Sequence, residues 1–177
     1  MKKLIAIAAI ITSAFTAQAQ VSSTATQTVN LNLADAISIS FVGSGTTGPT
    51  VDLNFNTVND YANGVISSEQ QMVVKSNKHF NVSIQTNGQN FTYSGSTSPA
   101  PSVQISNVLQ FMVTTNNTGG SLSYNNYAAI PSGQCTIINW ASAGGNQTFG
   151  VKYKAIPGFS LPGGTYTANV VYTATQQ

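Results

Sequence analysis

The sequence predicts an all-β protein: a short export segment followed by a single Ig-like β-sandwich of roughly nine to ten strands. Three observations carry this. Short stretches of strict apolar/polar alternation recur from Thr24 to the C-terminus. Clusters of Gly, Pro and Asn punctuate them at short intervals. Helical periodicity is absent after the first residues. Successive strand side chains point to opposite faces, so each stretch describes a half-buried strand with one apolar face.

The chain opens with Met1-Lys2-Lys3, an unbroken apolar run from Leu4 to Ile11, and Ala17-Gln18-Ala19. A basic start, an apolar core and small residues at a cleavage point make residues 1–19 a Sec-type signal peptide. The mature chain then begins at Gln20. The run is too short to span a bilayer, and no second one follows, so no membrane span is expected. No cysteine lies near the cleavage point, which argues against a lipid anchor. The expected destination is extracellular, cell-surface or periplasmic. Residues 20–177 are expected to form one domain, long enough to bury roughly 70% of the surface of the unfolded chain.

The strands follow in order. Thr24–Leu33 alternates with Val29, Leu31 and Leu33 on one side, and Ile37, Ile39 and Phe41 continue the parity. Val51, Leu53 and Phe55 predict a short strand. Asn59–Gly64 ends in Asn-Gly and predicts a polar turn. Met72–Lys75 sits in the next strand. Phe80, Val82 and Ile84, then Asn87-Gly88, then Phe91 and Tyr93 read as a hairpin. Pro99 and Pro101 place Ser94–Ser102 in a loop. Val103–Thr115 is strand, and Ser121–Ala128 is an edge strand bearing Tyr124 and Tyr127. Cys135–Trp140 is strand and Ala141–Asn146 a Gly-rich loop. Phe149, Val151, Tyr153 and Ala155 alternate. Pro162-Gly163-Gly164 turns into a closing strand, Thr165–Thr175, with Tyr166, Ala168, Val170, Tyr172 and Ala174 on its apolar face.

Charge narrows the function classes. Only 6% of residues are charged, against about 25% in ordinary domains. There is no arginine. Beyond the signal, Lys75, Lys78, Lys152 and Lys154 balance Asp35, Asp52, Asp60 and Glu69. No basic patch exists for nucleic acid. A near-neutral surface favours association. Cys135 stands alone and forms no internal disulfide; it reads as a small buried hydrophobe, with an intermolecular disulfide or a reactive thiol as alternatives.

No reaction chemistry is legible, so an enzyme is not expected, and no cofactor or metal is called for. Gly43–Gly48 has the spacing G-x-G-x-x-G, but strand rather than helix follows it, so the phosphate-facing helix N-terminus is missing. His79 is the only histidine and has no nucleophile elbow to serve. Asp52, Asp60 and Glu69 lie in one stretch; they read as solvated acids, with a calcium site near Asp52 and Asp60 or a hydrolytic carboxylate pair as the sharper alternatives. Trp140, Tyr124 and Tyr127 could form a ring platform for sugars. Trp140 alternates with Ile138, so the simpler expectation is core packing.

The C-terminal half carries a resemblance. Phe149–Lys154, a Pro-Gly loop, and then Gly-Gly-Thr-Tyr-Thr-Ala-Asn-Val-Val-Tyr-Thr-Ala-Thr are similar to the ending of bacterial surface sandwiches: WxL-type domains, spore-coat-U-like proteins and chaperone–usher pilins. Val73–Asn77 before Phe80–Ser83 also resembles a middle segment of WxL-like domains. The resemblance implies a secreted or surface β-sandwich that is structural or adhesive. It would act by self-association as a homo-oligomer, pilus or filament subunit, or by binding a surface polymer or glycan. The alternative function is a non-catalytic carbohydrate-binding module. The pilin comparison further implies that Val21–Leu33 pairs with a neighbouring subunit, with Val29, Leu31 and Leu33 filling alternate pockets. The plainer expectation is that this segment is the first strand of its own sheet.

Overall fold

A computed structural model describes residues 21–43 and 49–177. The predicted signal segment and the core of the Gly43–Gly48 motif lie outside the described residues. The chain divides into two units, Met1–Leu33 and Ala34–Gln177. In the first, residues 21–33 belong to no strand, and every one of them is exposed. The expectation of an own-sheet first strand there is therefore corrected. Among the described residues regular pairing starts at Ile37, just after Asn77 has clamped the main chain: its side-chain amide donates to Ala34 O and its Oδ1 accepts from Ala36 N, both at 2.9 Å.

The second unit is all-β and antiparallel. In chain order it comprises β1 (Ile37–Phe41), α1 (Val58–Asn63), β2 (Val65–Ile66), β3 (Gln70–Ser76), β4 (Phe80–Thr86), β5 (Thr92–Ser94), α2 (Ile105–Val108), β6 (Leu109–Asn116), β7 (Ser121–Leu122), β8 (Ala128–Ala129), β9 (Cys135–Ala141), β10 (Gly144–Ala155), β11 (Thr165–Thr167) and β12 (Val170–Gln176). One sheet runs β1-β3-β10-β6-β8, with β2 also on β10; the facing sheet runs β12-β4-β9-β7; β11 and β5 make a separate ribbon. Among the described residues the strands outnumber the expectation because five of them are two- or three-residue pairings, too short to leave an alternating signature of their own.

The core is where the alternations meet. Met72 and Val74 of β3, Phe111 and Val113 of β6, and Phe149, Val151 and Tyr153 of β10 face Phe80, Val82 and Ile84 of β4 and Ile137 and Ile138 of β9. Phe80, Phe111 and Phe149 are wholly buried, each burial stabilising the fold by roughly 2–3 kcal/mol. Tyr172 and Ala174 of β12 pack on the same core, on the parity read from the sequence.

Three local expectations are corrected. Asn59–Gly64 is mostly helix, because Thr57 caps it. The Thr57 hydroxyl accepts from Asp60 N, and the Asp60 carboxylate accepts from Thr57 N, a reciprocal capping box that turns the Asn-Gly into a helix C-terminus. The hairpin across Asn87-Gly88 does not form: β4 pairs with β12 and β9, whereas β5 pairs with β11. The closing strand is two strands, β11 and β12, in different sheets, broken at Ala168-Asn169.

Candidate functional site

Two features of the second unit are built for contact. The first is an open strand edge. Among the described residues β12 pairs with β4 alone and ends its sheet. An edge strand presents unpaired N–H and C=O groups, a template for another strand. At its N-terminal end, where Ala168 and Asn169 lead into β12, lies a groove of about 680 Å³, lined by residues 49–56, Tyr61, Phe91, Val108, Leu109, Leu161, Tyr166 and Ala168, among others. Val51, Leu53 and Phe55 are half-buried against the core and alternate with exposed Asp52 and Asn54. This is the strand predicted from the sequence by its alternation, yet it belongs to no sheet. The strand periodicity is present and the ladder is missing.

The groove walls are fixed by aromatic packing. Tyr166 of β11 meets Phe91 edge-on at 6.2 Å and Tyr93 at 5.0 Å. Tyr93 donates to Gly163 O at 2.9 Å, and Tyr166 donates to Pro162 O at 2.8 Å. Together they pin the Pro162-Gly163-Gly164 turn to the ribbon. Burial, with lesser contributions from Tyr93 and Tyr61, pushes the Tyr166 phenol upward. At the far side Tyr61 contacts Phe55 at 5.5 Å and stacks on Phe159 at 5.8 Å. Phe159 is itself exposed, as is Val58 nearby on α1.

The second feature is Trp140. It is not core, as the alternation suggested, but 59% exposed. On β9, Ile138 pairs with Val82 and Ala141 with Phe80. Asn139 and Trp140 thus both stand opposite Asn81, which is a β-bulge. Trp140 takes φ 54°, a left-handed conformation that is uncommon and strained for a bulky residue. Asn81 Oδ1 accepts the Trp140 N–H at 2.7 Å. The imidazole of His79 lies on the indole at 5.1 Å and 13° between planes, with its Nδ1 3.0 Å from Ala141 O.

The other two rings proposed for a platform go elsewhere. Tyr124 is half-buried, 5.4 Å from Phe111, with its hydroxyl 3.1 Å from Cys135 Sγ. That sulfur, first by hydrogen bonding and then by its charge, pushes the Tyr124 phenol upward. Cys135 is five residues before Trp140, roughly 16 Å along the strand. Tyr127 sits under Lys154 Nζ, 5.8 Å from the ring centre. The three rings do not share one surface.

The acids also separate by role. Asp60 is held below the usual carboxylate range by the N–H of Thr57, then by that of Asn56. Asp52 lines the groove. Glu69 accepts the hydroxyls of Thr114 and Thr115 on β6. Among the described residues no three His, Cys, Asp or Glu side chains converge as a metal would need, and no helix is long and apolar enough to cross a membrane. The His79–Trp140 stack leaves no trace in a linear pattern, because neither the bulge nor the cross-strand register is visible there.

No protein-family profile matches the chain, and no curated protein matches it. Among solved structures, a chain from a chaperone–usher pilus, in a structure described as revealing the molecular basis of rod uncoiling, aligns with 88% of this chain and 96% of its own at 14% identity, with a TM-score of 0.39.

Proposed function

We propose that the protein is an exported, non-catalytic structural subunit that self-associates by strand addition. The observation that carries this is residues 21–33. Val29, Leu31 and Leu33 are 72%, 78% and 86% exposed, although their alternation is that of a strand with one buried face. Leaving such a face in water forfeits roughly 1.5–3 kcal/mol for each large side chain relative to burial. The groove that ends at Ala168 and Asn169 supplies apolar walls, and β12, which follows directly, supplies a strand edge with main-chain groups that pair with no other strand among the described residues. Strand addition draws affinity from main-chain hydrogen bonds and specificity from alternate side-chain pockets. In this arrangement Val21–Leu33 of one copy pairs with β12 of the next, and Val29, Leu31 and Leu33 enter the groove. A head-to-tail contact of this kind is heterologous, so it extends into a filament unless the rotation closes a ring. The near-absence of net charge leaves little repulsion between copies.

The test is electron microscopy and sedimentation of the purified mature protein beside a variant lacking residues 21–33. Filaments or concentration-dependent oligomers are expected from the first and monomers from the second. Equal sedimentation of the two at high concentration would remove strand addition.

A further inference from the structure

Trp140 is the bulkiest side chain in the protein and the only tryptophan, yet the fold turns it outward and fixes it there. A bulge opposite Asn81 re-aims it, a left-handed backbone holds it, Asn81 accepts the Trp140 main-chain N–H, and His79 braces one side of the ring. Bulges recur where a strand must re-aim a side chain, and an observed backbone outlier is a legitimate starting point for a functional inference. A fixed backbone at the bulge and a stacked ring beside the indole together preorganise this exposed side chain.

We infer that the open side of the Trp140–His79 stack binds a neutral sugar ring of a polysaccharide. An aromatic face carries negative charge density. The C–H face of a hexopyranose is apolar and faintly positive, so the two stack. The surroundings supply the polar half of the recognition. Phe80 and Val82 of β4 are wholly buried and Asn81 between them belongs to the outer face, whereas the Ser83 hydroxyl is buried and already accepts from Gln134 at 2.7 Å. Thr175 pairs with Asn81 and Thr173 with Ser83 on β12. That face offers amides and hydroxyls, the partners of sugar hydroxyls. Lys78, beside His79, is paired with Asp35 at 2.6 Å, so the stack has no free charge next to it in sequence to select an ionic ligand. A protein-binding hot spot is instead ringed by contacts that exclude water, and Trp140 stands among polar groups. The inference is independent of strand addition: it uses the outer face of β4, β9 and β12, whereas assembly uses the β12 edge and the groove.

The single tryptophan makes the test direct. The mature protein is titrated with soluble neutral glucans, mannans and galactans and their hexasaccharides. Indole emission is followed, and retention is measured by affinity electrophoresis. At least one of these glycans is expected to shift the emission and retard the protein. Trp140→Gly suits the left-handed backbone and so keeps the fold, checked by circular dichroism; it is expected to lose retention by about tenfold or more. His79→Ala should weaken retention less, Tyr127→Ala should leave it unchanged, and deletion of residues 21–33 should leave it intact. Emission unmoved by every glycan overturns the inference, as does wild-type retention in Trp140→Gly. If Trp140→Gly weakens self-association while no glycan has any effect, the ring belongs to a protein contact and the inference also fails.

Discussion

The phenol oxygens of Tyr153 and Tyr172 meet at 2.7 Å across the sandwich, one from each sheet. Tyr153 is nearly sealed, and its main-chain N–H donates to Ser67 Oγ at 3.0 Å. Burial pushes the Tyr153 phenol up to about 12, partly offset by the Tyr172 hydrogen bond. Burial first, and then the Tyr153 charge and hydrogen bond, raise Tyr172 well above its ordinary value. Each hydroxyl is thus the other's escape from an unpaired position in the core.

That pair sets an alkaline limit. In the unfolded chain both phenols ionise near 10; in the fold they resist. Above pH 10 the unfolded state therefore binds fewer protons than the native one, and stability falls as pH rises. It is fully present below pH 10 and declines through the window toward the folded value of about 12 for Tyr153. The loss there is on the order of 2–3 kcal/mol for one such phenol. Urea unfolding at pH 9, 10 and 11 should show a midpoint that falls over the last step. Tyr153→Phe should lose about 1–3 kcal/mol at neutral pH by stranding the Tyr172 hydroxyl. The double Phe variant should recover part of that and flatten the alkaline limb. A midpoint independent of pH up to 11 in the wild type would remove this account.

Gly164 is required by Tyr93. A Cβ at that position would collide with the Tyr93 ring at Cε2, on a backbone with φ 151°. Gly164→Ala should therefore destabilise by about 1–3 kcal/mol, combining contact and backbone strain. Because the two residues touch, Tyr93→Ala with Gly164→Ala should cost less than the sum of the single changes. Thermal denaturation of the four proteins in this cycle measures the coupling, and strict additivity would count against it.

Alternation made the sandwich legible, and its failures share a physical cause. Tyr172 and Ala174 face the core as their parity required. Trp140 does not, because one extra residue opposite Asn81 shifts the parity of everything beyond it, and nothing in a single strand's pattern announces a bulge in its pairing. Phe91 and Tyr93 have the side-chain pattern of a hairpin with Phe80–Ile84, but partner choice is non-local, and β5 joins β11 instead. Val51–Phe55 keeps the period of a strand without a partner, so the groove was half visible as an alternation and invisible as a vacancy in the pairing. The exposed segment at Val29–Leu33 was legible as an alternation; its lack of a strand partner among the described residues is a fact of the fold.

The capping box at α1 predicts an acid limb. Asp60 is held below its ordinary value of 3.8 by the Thr57 and Asn56 N–H groups. A carboxyl lowered in the fold contributes stability that is complete above its unfolded pKa and lost as pH falls through the folded value. Asp60→Asn should flatten the stability profile below pH 4, and Thr57→Ala should lower the midpoint at pH 7 by about 0.5–1 kcal/mol. Equilibrium denaturation between pH 2.5 and 7 reads both, and an acid limb of unchanged steepness in Asp60→Asn would show that other carboxylates control it.

The β12 edge makes the most discriminating prediction. Val171 lies on the outward parity of β12 and is 37% exposed. Natural sheets protect such edges with lysine, whose charge resists the approach of a second strand. Val171→Lys should therefore leave the monomer's thermal midpoint within about 0.5 kcal/mol of wild type, as surface changes do, while suppressing oligomers. Leu31→Asp, on the exposed segment, should do the same from the other partner by placing a charge in an apolar pocket. Mixing decides which surface is which. Each variant keeps one competent half, so an equimolar mixture should form dimers, built from the intact Val21–Leu33 segment of the Val171→Lys chain and the intact edge of the Leu31→Asp chain, and should not grow further. Sedimentation velocity distinguishes these outcomes, and full-length filaments in the mixture would mean that the segment and the edge do not meet.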